Sequence, residues 1–329
     1  MGQYQKQHYV PKLLQRFFSD DGCNIGVYIL ARNKATLSSI RTTAQDDWLY
    51  KFSDEEKTEL EHWLGEVEDS ITPVLRRLND DKAYLVSPEE YDACMGFIIV
   101  QLMRTPKATN AMKYIYDFCM RRAIPIFMEE VHKGVRTNTN IPFQSVISVS
   151  SVIDNWPCDK MIILRNESEV ELIMSDSPAC LFSPISYHAS TVGLEDLIIK
   201  QPAFSACMLY MPISPTCGFL MYDDRYYQFT CKDVMNLTTE DVHVLNSLEI
   251  ANASKILLFR SFDKDAYPNA FSLRDSELSI QLKDSIYAPV DYSFRLSALE
   301  CDKGVWSYLI NKLAFENPDK LTPKIEGLM

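Results

Sequence analysis

Hydrophobic and polar positions along this chain fall into two regimes, the first helical. From Ser53 to about Leu78, the residues Leu60, Trp63, Leu64, Val67 and Ile71 recur with the spacing of one helix face. Ser53-Asp54-Glu55-Glu56 opens the run with a hydroxyl and a third-residue carboxylate, a capping box for the orphan amides. A second start, Ser87-Pro88-Glu89-Glu90, puts Pro in the first helical position; this helix should end near Thr105, because Pro106 disfavours α conformation in the residue before it. A third helix is expected from Thr109 to about His132, kinked at Pro125.

Beyond Gly134 the period shortens, and FQSVISVSSVI, MIILRN, VELIMSD, CMLYMPISP and CGFLMYD predict strands, with a wide hairpin or bend around Met211 to Pro215. Val27 to Ala31 predicts a further short strand after an N-terminal arm that has no long helix. Thr238 and Asp241 form another capping box, from which VHVLNSLEIANASKILLF keeps helical period to about Phe259. Residues past 262 read as irregular apart from a short helix at Lys303 to Phe315. The elements add up to an α+β fold, a helical half over about 50–135 packed on a mainly antiparallel sheet over about 140–230. A long helix at about 239–260 and the N-terminal arm bridge the two, giving one domain over 1–262 and an extension over 263–329 packed on it.

Composition narrows the chemistry. Only 10 of 329 residues are Gly, and neither GxGxxG nor GxxxxGK[ST] occurs, so backbone phosphate cradles are set aside. The formal net charge of -12 argues against a surface built for duplex nucleic acid. The acidity is uneven: residues 46–92 carry 15 acidic and 5 basic side chains, whereas 104–136 carry 7 basic and 3 acidic ones. The first stretch reads as a solvated face; the second reads as a solvated face or an anion-attracting stripe of Arg104, Lys107, Lys113, Arg121, Arg122, Lys133 and Arg136. The first ten residues are too polar for a secretory signal, no apolar stretch has the ~20 residues a bilayer needs, and a cytoplasmic location is expected. Nine scattered cysteines without a CxxC and five isolated histidines offer no metal-ligand spacing, so neither a metal nor another cofactor is expected.

Candidate chemistry then rests on polar residues in apolar surroundings. His8, fixed ahead of Pro11, has the side chain of a general acid or base or of an arm-docking contact. Gln101 and Arg104 share a helix face, and Arg104 suits either a phosphate or an internal carboxylate. Ser175 and Asp176, closing the VELIM strand, read as a carboxylate that orients a catalytic imidazole or as an ordinary turn. Asn246 falls on the apolar stripe with Val242, Ile250, Ala253 and Leu257, where it must find partners.

The opening QHYVPKLLQRFF, the central QLMRTP, the strand-turn MSDSPACLF, the later YMPISP and the helix VLNSLEIANASKILL together resemble the domain of unknown function 4238 family, found in bacteria and phages. The resemblance spans roughly residues 5–262; Lys12, Ser177 and Ile213 depart from the family's commoner Gln, Asn and Leu. It implies that His8, Gln101, Arg104, Ser175, Asp176 and Asn246 converge, in one site or in one internal hydrogen-bond network. The functional expectation is a metal-independent hydrolase or nuclease acting on a phosphate-containing substrate, a small molecule or nucleic acid, and serving as a phage-defence or toxin effector. In it His8 is the acid/base, Asp176 orients it, Arg104 with Gln101 binds phosphate, and Ser175 and Asn246 contact substrate. The competing expectation is a non-catalytic ligand-binding or regulatory module that holds a nucleotide or an acidic partner in a pocket around Arg104.

Overall fold

A computed structural model describes residues 6–47, 59–79, 84–85, 87–112, 153, 156, 158, 160–183, 207–224, 227, 229, 231, 233–276 and 285–289. The Ser53 cap, the expected strand over 140–150, most of the helix toward His132 and the helix at Lys303 to Phe315 lie outside these residues.

The chain opens with strand β1 (Lys6–His8), helix α1 (Lys12–Phe17), β2 (Asn24–Ile29), a 3-10 turn (Leu30–Arg32), β3 (Lys34–Ser39) and β4 (Gln45–Asp47). Two long helices follow, α2 (Glu59–Leu78) and α3 (Pro88–Met103). Ser87 caps α3 by accepting from the Glu90 amide, with Pro88 at the first turn, as expected. Arg104 ends that helix, and residues 106–112 resume helical conformation with Pro106 as their first residue, a position where its missing N–H costs nothing. In α2 the buried face is Leu64, Ile71, Val74, Leu75 and Leu78, while Trp63 stands 37% exposed on its flank.

The second half supplies β5 (Lys160–Asn166), β6 (Met174–Ser175), β7 (Cys180–Phe182), β8 (Met208–Ser214), β9 (Cys217–Tyr222), β10 (Val234–Leu237), helix α4 (Thr239–Asn252), β11 (Ile256–Phe259) and α5 (Pro268–Arg274). The fold is α+β; among the described residues there are three sheets, in orders β1-β4, β10-β5-β9-β8-β7 and β3-β2-β11-β6, whose strand pairs are antiparallel except for β10–β5. The single sheet expected over 140–230 is therefore the five-stranded one, and a second arises because β2 of the arm pairs with β11 on one edge and with β3 on the other.

Two-sided burial explains the apolar runs of the large sheet. Met161, Ile163, Leu209, Met211, Phe219 and Met221 join the α1, α2 and α3 side chains on one face. Ile162, Leu164, Met208, Tyr210 and Leu220 alternate with them and meet Val242, Leu245 and Leu248 of α4 on the other. A strand covered on both faces needs no polar alternation, and each such Leu, Ile or Phe contributes roughly 1.5–3 kcal/mol. Met211 to Ser214 is the end of β8, with an irregularity between Pro212 and Ser214, and Pro215-Thr216 make the tight turn into β9. The ladder with β7 reaches no further along β8 than Tyr210, opposite Cys180, so Pro212 lies past it.

The long helix expected over 239–260 is corrected by the structure. Thr238 and Asp241 make their reciprocal capping box, but α4 stops at Asn252, and the ILLF run is strand β11, held between β2 and β6. Ala253 is already extended, with φ -63 and ψ 133, and the next two amides leave the helix for the Asp176 carboxylate. Gly26 is required where β2 passes β11, since a Cβ there would stand 2.5 Å from the Phe259 ring.

Candidate functional site

Each motif residue is best understood through what its polar atoms touch. Arg104 is 4% exposed; its guanidinium pairs with the Glu68 carboxylate of α2 at 2.8 Å and donates to the His8 carbonyl of β1. It thus fastens the arm to both long helices. His8 is half-buried, with Nε2 3.2 Å from the Ile40 carbonyl. Burial, then the neighbouring Lys12 charge, holds its imidazole down to about 4, so it is neutral near pH 7.

Asp176 is fully buried and accepts from the Ser254 amide at 2.8 Å and the Lys255 amide at 2.7 Å. Burial raises its pKa, and those same amides oppose the rise. The expected hydrogen bond between Asp176 and His8 is absent from the described residues: the carboxylate is spent on the turn after α4, the imidazole on Ile40. Asn246 accepts from the Ile173 amide at 3.0 Å and donates to the Glu171 carbonyl at 2.8 Å and the Tyr267 hydroxyl at 2.9 Å, clamping α4 to the strand leading into β6. Ser175 gives its amide to Glu249 at 2.7 Å and takes the Ser177 amide on its hydroxyl at 3.1 Å. Gln101 is fully buried, and among the described residues neither polar atom of its side chain has a hydrogen-bond partner.

Sequence reasoning passed over a buried ionisable cluster behind the Ser175-Asp176 turn. Lys107 donates to Asn252, Asn252 donates to the Ser177 carbonyl at 2.7 Å, and Glu249 accepts from the Cys180 thiol at 3.2 Å. Burial lowers Lys107 to about 8 and raises Glu249 to about 8. Two signals were available: Lys107 directly follows Arg-Thr-Pro, and Glu249 lies one turn beyond Asn246 on the inward stripe of α4. Of the seven cations over 104–136, read as a solvated face or an anion-attracting stripe, Arg104 and Lys107 are buried and engaged, and the other five fall outside the described residues.

In front of the same turn lies an open cleft of about 570 Å³. Arg32 follows β2, Lys255 precedes β11, and Arg274 ends α5; the hydroxyl residues Ser38, Thr42, Thr43 and Ser254 complete its polar lining. Val27, Ile29, Leu30, Ala31, Ala44 and Ile256 form the apolar wall. Two carboxylates offset part of the positive charge, Asp46 at 4.0 Å from Lys255 and Asp275 at 3.1 Å from Arg274.

The motif regions shape this cleft from behind. Gln15 donates to the Val10 carbonyl at 2.9 Å and the Thr43 carbonyl at 3.2 Å, and the Tyr9 amide reaches the Ala44 carbonyl at 3.1 Å. The HYVP segment thereby holds Ala44 in the left-handed region, φ 52, which costs a residue with a Cβ roughly 1–2 kcal/mol. Strain of this kind clusters where surrounding structure fixes a loop for a task. Opposite, Asp176 holds the Ser254-Lys255 wall. No local spacing announces the cleft, because its cations come from three separated segments.

Among the described residues no three His, Cys, Asp or Glu side chains group as metal ligands, and no helix is long and apolar enough to cross a membrane. The family model "Protein of unknown function (DUF4238)" matches residues 6–263, and the chain belongs to that family. No curated protein and no solved structure matches it.

Proposed function

We propose that this member of the DUF4238 family binds a phosphate-bearing ligand in the cleft between the 42–44 loop and the 254–256 wall, as a ligand-binding or regulatory module. The observation that carries the reading is the gathering of Arg32, Lys255 and Arg274 with four hydroxyl residues around one cleft, in a chain whose net charge is -12. The site differs from the one expected around Arg104, whose charge is met by Glu68. Guanidinium and ammonium groups recognise phosphate oxygens by charge-assisted hydrogen bonds, and hydroxyls add neutral donors. With so few glycines, side chains do this work rather than a backbone cradle.

The hydrolase or nuclease reading, with its defence or toxin role, would use the same cleft on the same class of substrate. One observation favours keeping it as the second reading: the His8 imidazole bonds the Ile40 carbonyl, two residues before the cleft residue Thr42.

The test is calorimetric titration of the full chain with inorganic pyrophosphate, ADP and a short single-stranded oligonucleotide, each followed for turnover. Binding that weakens about tenfold in Arg32→Ala and again in Lys255→Ala, and that falls with added salt, supports the cleft. Unaltered affinity in both variants, or no binding of any probe, overturns the reading. Release of orthophosphate or cleaved oligonucleotide that disappears in His8→Gln would select the hydrolase.

A further inference from the structure

We infer that Asp176 is the positioning residue of the cleft, setting the place of the Lys255 ammonium without touching the ligand. The inference rests on the reading of the cleft as a phosphate site. Three consecutive lining residues hang on this one side chain and its backbone: the Ser254 amide on Oδ1 at 2.8 Å, the Lys255 amide on Oδ2 at 2.7 Å, and the Ile256 carbonyl on the Asp176 amide at 3.1 Å. Successive N–H groups turned toward one carboxylate form an anion-binding concavity, here filled from within the protein. Ala253 is the last residue whose amide bonds back into α4, so the Ser254 and Lys255 amides lie past the helix and take Asp176 as their acceptor, at a half-exposed Ser254 and an exposed Lys255. Anchoring the main chain of a long, flexible cation removes backbone freedom that ligand binding would otherwise have to quench.

The anchor is itself rigidly set. Asp176 sits in the turn between β6 and β7, wholly buried; β6 pairs with β11 through Ser175 and Leu257, and the Ser175 amide is held by Glu249 of α4. Strand, wall and helix are therefore tied to one another through Asp176 and Ser175. Arg32, on the opposite side, is carried by the 3-10 turn after β2 and has no hydrogen bond to Asp176 among the described residues. The two cations should consequently respond differently when the anchor is weakened.

In Asp176→Asn one of the two wall amides faces an NH2 group in place of an acceptor. With pyrophosphate as the probe, the dissociation constant should rise roughly tenfold, as expected when one charge-assisted hydrogen bond to the ligand is removed. The decisive readout is coupling between sites. Asp176→Asn combined with Lys255→Ala should be little weaker than either single variant, whereas Asp176→Asn combined with Arg32→Ala should multiply the two losses. Multiplication in both pairs, or an Asp176→Asn affinity equal to wild type, overturns the inference while leaving the cleft reading intact. Absence of pyrophosphate binding to the wild-type chain defeats the underlying reading instead.

Should Asp176→Asn fail to fold, amide hydrogen exchange on the wild-type chain decides. The Ser254 and Lys255 amides should be as protected as the interior of α4 before any ligand is added, and unchanged by pyrophosphate. Fast exchange in the free protein, slowed only on binding, would mean that the ligand orders the wall and Asp176 does not.

Discussion

Arg104 is where the network and pocket readings of the motif residues part most sharply, because each predicts a different consequence of Arg104→Ala. The guanidinium is 4% exposed and spans two elements, pairing with Glu68 at 2.8 Å and donating to the His8 carbonyl. Breaking a fully buried pair costs roughly 3–5 kcal/mol, and leaving a carbonyl without its donor roughly 1 more. The Glu68 side chain is 28% exposed and can rehydrate once released, which places the sum nearer 2–4 kcal/mol by order of magnitude. With a urea slope of about 2–3 kcal/mol per molar for a chain of this size, the midpoint should fall by roughly 1 M. Urea unfolding followed by far-ultraviolet circular dichroism gives that number directly. Affinity for pyrophosphate, measured well below the new midpoint, should stay within about twofold of wild type. A midpoint within about 0.2 M of wild type, together with abolished pyrophosphate binding, would refute the network assignment and return Arg104 to the ligand.

Three further outcomes follow from the buried polar groups. His8 is held down to about 4 by burial and by Lys12, so its contribution to stability is present above its ordinary pKa of 6.5 and is lost as pH falls through 4. The full shift corresponds to about 3 kcal/mol, discounted for solvent screening at this half-buried site to about 1–2, and His8→Gln should lose correspondingly less than wild type in urea midpoint between pH 7 and pH 4.5. Glu249 is raised to about 8, so its contribution is present below its ordinary 4.5 and is lost as pH rises through about 8; Glu249→Gln should flatten that decline when urea midpoints at pH 5 and pH 8 are compared. Asn246→Ala strips partners from the Ile173 amide, the Glu171 carbonyl and the Tyr267 hydroxyl at once and should cost about 2–4 kcal/mol in the same assay, with binding at the cleft unchanged.

What the residues disclosed, and what they withheld, follows the range of the forces involved. Caps are local, so Ser87-Pro88 and Thr238 with Asp241 announced two helix starts correctly. The ILLF run after Asn252 was misread because a short apolar segment fits helix and buried strand equally well. What decides it is Asp176, 78 residues away from Ser254 in the chain. The same limit applies to the arm: the β-branched run at Val27 to Ala31 announced a strand, but its partner β11 lies more than 200 positions later, and β3 pairs on its other edge. The motif residues Gln101, Arg104, Ser175, Asp176 and Asn246 are buried and His8 is half-buried, but their partners were not legible: Arg104 meets a Glu68 that composition assigned to a solvated face. The cleft left no sequence signature, since Arg32, Lys255 and Arg274 are ordinary surface-type residues until the fold collects them.

The central claim is that a phosphate group is held by the cleft, and amide chemical-shift mapping by heteronuclear NMR tests it most directly. On titration with inorganic pyrophosphate the account predicts saturable shifts at Arg32, Thr42, Thr43 and Lys255, the residues that line the cleft from its two sides, with little change at Gln101 or Arg104. Shifts centred on Gln101 and Arg104, with Arg32 and Lys255 silent, would contradict it.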